Sequence, residues 1–250
     1  MLFITNKYLL SFLSLSILGI LVLFYNDNAK LSKVRILCEN LSSSNADFKV
    51  HVSYVHHIDT DKHDIMENFR FFMNFGVQPC DPRVDYRIIL NTNNLSANIN
   101  DKVAKVLGDD ELMSQIESCS NVVIIKNKNN KDLCAHSDQL KTEAWKSDKL
   151  KYKYFFFVNS TPRGPFLPNY WTEPWWTVFT NKFSSNPKLV VTGPYLSTEY
   201  HPHIQSFFVV VDSRGLEILE AIWRCPVEEP EFHWITNTEL VRFIFLFWIF

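Results

Sequence analysis

The densest group of residues able to do chemistry stands where an apolar run stops. Residues 151–171 read KYKYFFFVNSTPRGPFLPNYW. Tyr154 to Val158 has the length of a buried strand, and Asn159, Ser160 and Thr161 follow it directly. A turn built from Pro162, Arg163, Gly164 and Pro165 comes next. Ligands of open α/β sheets collect at the carboxyl ends of strands. Small polar groups at such an end, with an arginine able to pair bidentately with phosphate, suit a diphosphate. The plain alternative is a Pro/Gly turn carrying a surface arginine, and the local pattern does not choose between them.

Other groups read as structural. Asp59-Thr60-Asp61 is an Asp-x-Asp, but it follows the first strand and precedes a helix, so a helix cap is expected. His56, His57, His63, His201 and His203 match no zinc spacing and are expected to be surface or turn histidines. Glu228, Glu229 and Glu231 form an acidic loop bounded by prolines. Tyr170, Trp171, Trp175 and Trp176 are read first as packing and second as a stacking surface for sugar rings. With only 6 glycines the chain has neither G-x-G-x-x-G nor G-x-x-x-x-G-K, which removes the glycine-rich phosphate loops. No G-x-S-x-G or H-E-x-x-H supports a hydrolase. A net charge of -2 argues against nucleic acid as a partner.

These residues need a scaffold, and the pattern supplies one. Phe48–Ile58 alternates and is β-branched, predicting a first strand. Lys62–Phe75 predicts a helix with Ile65, Met66, Phe69, Phe72 and Met73 on one face and Gly76 at its end. Tyr86–Leu90, Asn121–Ile125, Tyr154–Val158, Leu189–Thr192 and Ser206–Val211 predict further strands. Lys102–Ser118, interrupted in propensity at Gly108, Leu133–Trp145 and Leu216–Trp223 predict helices. Strands alternating with helices imply an α/β domain with a mostly parallel sheet.

The N-terminus bears on compartment. Tyr8–Tyr25 is an uncharged apolar stretch of 18 residues, about the minimum for a membrane span, and no small-x-small cleavage site follows it. The expected organisation is a cytosolic tip and signal-anchor over 1–25, a Ser/Asn-rich stem over 26–46 and a luminal domain over 47–250. Three acceptor triplets, beginning at Asn40, Asn94 and Asn159, fit that compartment weakly. The five cysteines contain no C-x-x-C pair; one or two disulfides suit a lumen, with Cys119 and Cys134 the expected pair on sequence proximity.

Four blocks, in one order over roughly residues 48–220, resemble glycosyltransferases related to the rhamnan-synthesis F family. They are HDIMENFRFFMNFGV, VVIIKNKNNKDLCAHSDQL, YFFFVNSTPRGPFLP and KLVVTGPYLSTEYHPHIQSFFVVVDSRGLEIL. The resemblance implies a GT-A-like, Rossmann-like fold, a nucleotide-sugar donor, and a glycan or glycoprotein acceptor in the Golgi or endoplasmic reticulum. It places Asn129 and Asp132 near the donor base and ribose, and Asn159 and Ser160 where many GT-A enzymes begin a metal-binding Asp-x-Asp. Arg163 then becomes the cation for the diphosphate, and His203 and Gln205 fall on the acceptor side. No residue is assigned as catalytic. Asn159-x-Thr161 replaces two carboxylates, so a divalent metal is not expected. The family's continuation after the last helix is not matched where Glu239 is followed by LVRFIFLFWIF, which leaves a truncated C-terminus open. The alternative implied by these departures is a non-catalytic, membrane-anchored carbohydrate-binding or scaffold domain that retains the fold.

Overall fold

A central strand buried on both faces organises the chain. The computed structural model describes residues 48–93, 98–128, 131–198 and 203–223. The proposed anchor, the stem, Asn129, His201, the triplets at Asn40 and Asn94, the acidic loop and the chain after Trp223 lie outside the described residues. Among the described residues no helix is long and apolar enough to cross a membrane.

Strand β1 (Lys49–His57) pairs in parallel with β2 (Val84–Asn91) on one side and β4 (Tyr152–Asn159) on the other. Beyond β2 lies β3 (Val122–Asn127), also parallel. Beyond β4 lies β8 (Phe208–Asp212), antiparallel, followed by the short β5 (Val191–Thr192). The order is therefore β3-β2-β1-β4-β8-β5, and the sheet is an α/β, Rossmann-like one with three parallel pairings at its centre. A separate ribbon pairs β6 (Leu196–Ser197) with β7 (His203–Ile204).

Helices cover both faces. On one, α1 (His63–Phe75), α2 (Ile99–Leu107), α3 (Asp110–Ser118) and α6 (Thr177–Ser185) bury Phe69, Phe72, Val103, Ile116 and Phe179 against Val52, Tyr54 and Phe156. On the other, α4 (Asp132–Leu140), α5 (Glu143–Asp148) and α7 (Ser213–Ile222) bury Leu133, Trp145 and Leu216 against Phe155, Phe157 and Val209. The aromatic run Phe155-Phe156-Phe157 feeds both cores from successive positions, since side chains along a strand point to alternate faces. Truncating any of the three to alanine would cost about 3–5 kcal/mol.

Two polar members of β1, His51 and Ser53, are buried under α4 and α5, with Ser53 hydrogen-bonded to His136 Nδ1 at 2.8 Å. Two expectations change. The expected Lys102–Ser118 helix is two helices, because Gly108 adopts a left-handed φ of 63° and closes α2. The disulfide joins Cys80 to Cys119, not Cys119 to Cys134. Cys119 precedes β3 and Cys134 follows it, so a six-residue strand of roughly 20 Å separates them. Cys80 and Cys119 instead lead into the neighbouring parallel strands β2 and β3, with Cα atoms 5.0 Å apart, and Cys134 is engaged in a different bridge.

Candidate functional site

The chain visits β1, moves outward through β2 and β3, then crosses back to place β4 on the other side of β1. That reversal makes the β1/β4 boundary a topological switch point, where a crevice opens above the carboxyl ends of the strands. His57 ends β1, Asn91 and Thr92 end β2, Asn127 ends β3, and Asn159 and Ser160 end β4.

Asp132 ties these ends together. It is the first residue of α4, and its Oδ1 accepts from His57 Nε2 at 2.8 Å while Oδ2 accepts from Asn159 Nδ2 at 2.7 Å. A carboxylate oxygen accepts, so His57 meets Asp132 through an Nε2 proton, while Asn91 Nδ2 lies 3.4 Å from the same nitrogen. Among the described residues His57 and Asn159 are the two partners of the carboxylate, whose side chain stays 29% exposed. Alongside, Asn127 Nδ2 donates to Asn91 Oδ1 at 3.0 Å. A cavity of about 280 Å³ lies beside them, lined by His57, Asp59, Thr60, Asn91, Thr92 and Asn93, and among the described residues Asp132, Asn127 and Asn159 are not part of that lining.

Asp59 shapes the cavity and is no helix cap, contrary to expectation. The α1 N-cap is Lys62, with no side-chain cap, and the Asp59 carboxylate instead accepts from Lys102 Nζ at 2.7 Å, Thr92 Oγ1 at 2.7 Å and Asn93 N at 2.9 Å. The lysine bond, helped by the other two, pulls its pKa down to about 2. It therefore pins the end of β1 to the end of β2 and to α2.

The loop after β4 is held from α1. Asn68 Nδ2 donates to the carbonyls of Ser160 and Thr161 at 3.1 and 2.9 Å, while Asn159 Oδ1 accepts from Thr161 N at 2.9 Å. Both ends of the Asn159 amide are thus engaged. Asn68 went unremarked in the sequence as a site residue. Its signal was the Asn-x-x-Phe-Phe helix block, in which the asparagine faces the loop.

Of the expected site residues, Asp132 and Asn159 meet directly, and Ser160 is buried beside them. Arg163 does not join that contact. It is exposed, its guanidinium lies 5.1 Å from the centre of the Phe71 ring, and it lines a separate apolar pocket. Among the described residues it has no carboxylate partner. His203 lies on β7 and Gln205 just beyond it, in the small ribbon and not on the carboxyl edge. The segment following Gln205 does reach the site, where the Phe207 carbonyl accepts from Asn159 N at 3.0 Å.

The histidines divide, against the expectation of surface positions. His63 is exposed and His57 about one-third exposed. His56 is fully buried, stacked on Phe69 with ring centres 4.2 Å apart, and neither ring nitrogen has a partner among the described residues. Burial, then the neighbouring His57, lowers its pKa to about 3, against an opposing pull from Asp132. His203 is buried as well. Trp175 and Trp176 are packing residues, donating to Gly76 O and Gln78 Oε1 at 2.6 and 3.3 Å, whereas Tyr170 is exposed.

Among the described residues no three His, Cys, Asp or Glu side chains are grouped to hold a metal ion. Neither a scan against models of protein families nor a search of curated proteins found a match to this chain.

Proposed function

We propose that this chain transfers a sugar from a nucleotide-sugar donor to a hydroxyl of a glycan or glycoprotein, as a GT-A-like luminal domain of a membrane-anchored protein of the Golgi or endoplasmic reticulum. The observation that carries the reading is Asp132, held by His57 and Asn159 above the switch point with part of its carboxylate still open. A carboxylate so placed suits the vicinal hydroxyls of a ribose, and the amides of Asn91 and Asn127 suit the edge of a base. In this reading Asn159 and Ser160 shape the floor, Arg163 leaves its place over Phe71 to bring positive charge toward the diphosphate, and the ribbon carrying His203, with Gln205 beyond it, lies on the acceptor side. Asn159-x-Thr161 offers no carboxylate pair for a divalent cation, so donor binding should persist in EDTA.

The test is titration of UDP- and GDP-sugars into the protein and into Asp132→Ala. Saturable binding weakened tenfold or more by the substitution supports the reading. Binding of neither nucleotide removes it.

The second reading, a non-catalytic carbohydrate-binding or scaffold domain, is favoured by one feature. Asp132 and Asn159 already satisfy each other, as groups do when their task is to hold two strand ends together. Under that reading Asp132→Ala lowers stability and no nucleotide binds.

A further inference from the structure

A second cavity lies on the α1/α6 side of the sheet and differs in chemistry from the polar cleft. It encloses about 250 Å³, lined by the Pro162–Leu167 loop together with Tyr54, Phe72, Val158, Trp175, Val178, Phe179, Pro194, Tyr195 and Phe208. Among the described residues Arg163 is the only charged one in that lining. Phe166, Tyr195 and Leu196 are large apolar side chains left exposed at or beside its rim, with relative exposures of 67%, 53% and 60%. Among the described residues the Tyr54 hydroxyl, in a residue only 1% exposed, has no hydrogen-bond partner. An apolar chamber bordered, among the described residues, by a single cation that has no carboxylate partner is incomplete by itself.

We propose that this pocket binds a single amphiphilic anion, its apolar body enclosed between α1, α6 and β8 and its carboxylate or phosphate head paired with Arg163. An engineered cavity of about 150 Å³ accommodates benzene, so this one takes an unbranched body of roughly eight to ten carbons. The uncharged lining rejects a charged body, and the planar guanidinium selects an anion for the head. The proposal stands on the pocket and does not require the sugar-transfer reading. If both hold, Arg163 serves one anion at a time, and the amphiphile and a nucleotide diphosphate compete.

The full chain, reconstituted in phosphatidylcholine nanodiscs, is photolabelled with a diazirine analogue of decanoate and the adducts are mapped by mass spectrometry. Adducts are expected at pocket residues such as Val178, Tyr195 and Phe208. Excess decanoate should displace them; decyltrimethylammonium, with the same body and opposite charge, should not. Arg163→Gln should weaken labelling about tenfold, the loss of one hydrogen bond to a charged group. Arg163→Glu should reverse the preference between the two competitors, an outcome that misfolding does not produce. Pocket labelling displaced equally by both competitors overturns the proposal. So does labelling confined to residues outside the pocket, or labelling unchanged in both Arg163 variants. Nucleotide binding is read separately, so loss of the sugar-transfer reading leaves this result interpretable.

Discussion

Buried neutral histidines should make this domain acid-labile, and the effect can be sized. Burial pushes the pKa of His56 down to about 3 and that of His136 to about 4, and holds His51 well below its ordinary value. The unfolded chain presents each histidine with a pKa of about 6.5, so it binds protons the native state refuses. Stability is therefore full above about pH 6.5 and falls as pH drops, at up to about 1.4 kcal/mol per pH unit for each histidine. Between pH 7.5 and 5.0 that amounts to about 2 kcal/mol each, or about 4 kcal/mol for His56 and His136 together. His51 adds in the same direction. For a domain of typical stability, about 5–15 kcal/mol, the loss is large. Asp59 does not contribute in this window, because its depressed pKa removes stability only as pH falls from its unfolded value toward about 2. The assay is urea unfolding at pH 7.5 and pH 5.0, on the parent and on His56→Phe, which keeps a flat ring against Phe69. The variant should lose about 2 kcal/mol of the pH-dependent difference, whatever its own offset at pH 7.5. A parent with equal stability at the two pH values, or a His56→Phe variant with the full dependence, would refute the reasoning.

Other consequences concern single contacts. Replacing Cys80 and Cys119 with alanine opens a bridge of sequence separation 39, worth about 4 kcal/mol in the chain-entropy model. Thermal melts should show a correspondingly lower midpoint, and an unchanged melt would rule the bridge out as a stabilising link. Gly215→Ala puts a methyl group 2.3 Å from the Val190 carbonyl oxygen and 2.8 Å from Val211 Cβ, so α7 must move off β5 and β8. A cost of about 1–3 kcal/mol is expected by urea denaturation, and a neutral result would mean that helix and strand are not in contact there. Tyr54→Phe removes a buried hydroxyl that has no partner among the described residues, so unliganded stability should stay level or rise. A loss above about 1 kcal/mol would reveal a hydrogen bond made through water.

The strands that carry the sheet were legible because each is a run of β-branched or aromatic residues bounded by polar turns. Burial on both faces was legible only for β4, whose YFFFV is apolar throughout. β1 concealed the same situation behind His51 and Ser53, which a helix covers and His136 partly satisfies. α6 was not foreseen: TVFTNKFSS has few apolar positions and is recruited by Trp175 and Trp176 packing ahead of it. The ribbon of β6 and β7 consists of two-residue strands, too short for any period to register.

At the site, Asp132 and Asn159 could be paired in thought because both stand just past a strand in an alternating α/β pattern. His57 could not be chosen over His56 from the sequence. The two are adjacent, so the strand sends them to opposite faces, one toward Asp132 and one against Phe69. The disulfide was misjudged for a related reason. Proximity along the chain is a poor guide in a parallel sheet, where successive strands start together and Cys80 and Cys119 become neighbours across 39 positions.

The measurement closest to the central claim is the affinity of the protein for UDP and GDP, taken with and without the sugar, in EDTA, for the parent, Asp132→Ala and Arg163→Ala. Asp132→Ala should bind at least tenfold more weakly because a ribose loses its carboxylate, and EDTA should leave the parent unchanged. Arg163→Ala should lose about 1.5–3 kcal/mol, the contribution of a hydrogen bond to a charged group. Failure of the parent to bind either nucleotide, or equal affinity in the parent and Asp132→Ala, would contradict a donor site at the β1/β4 switch point.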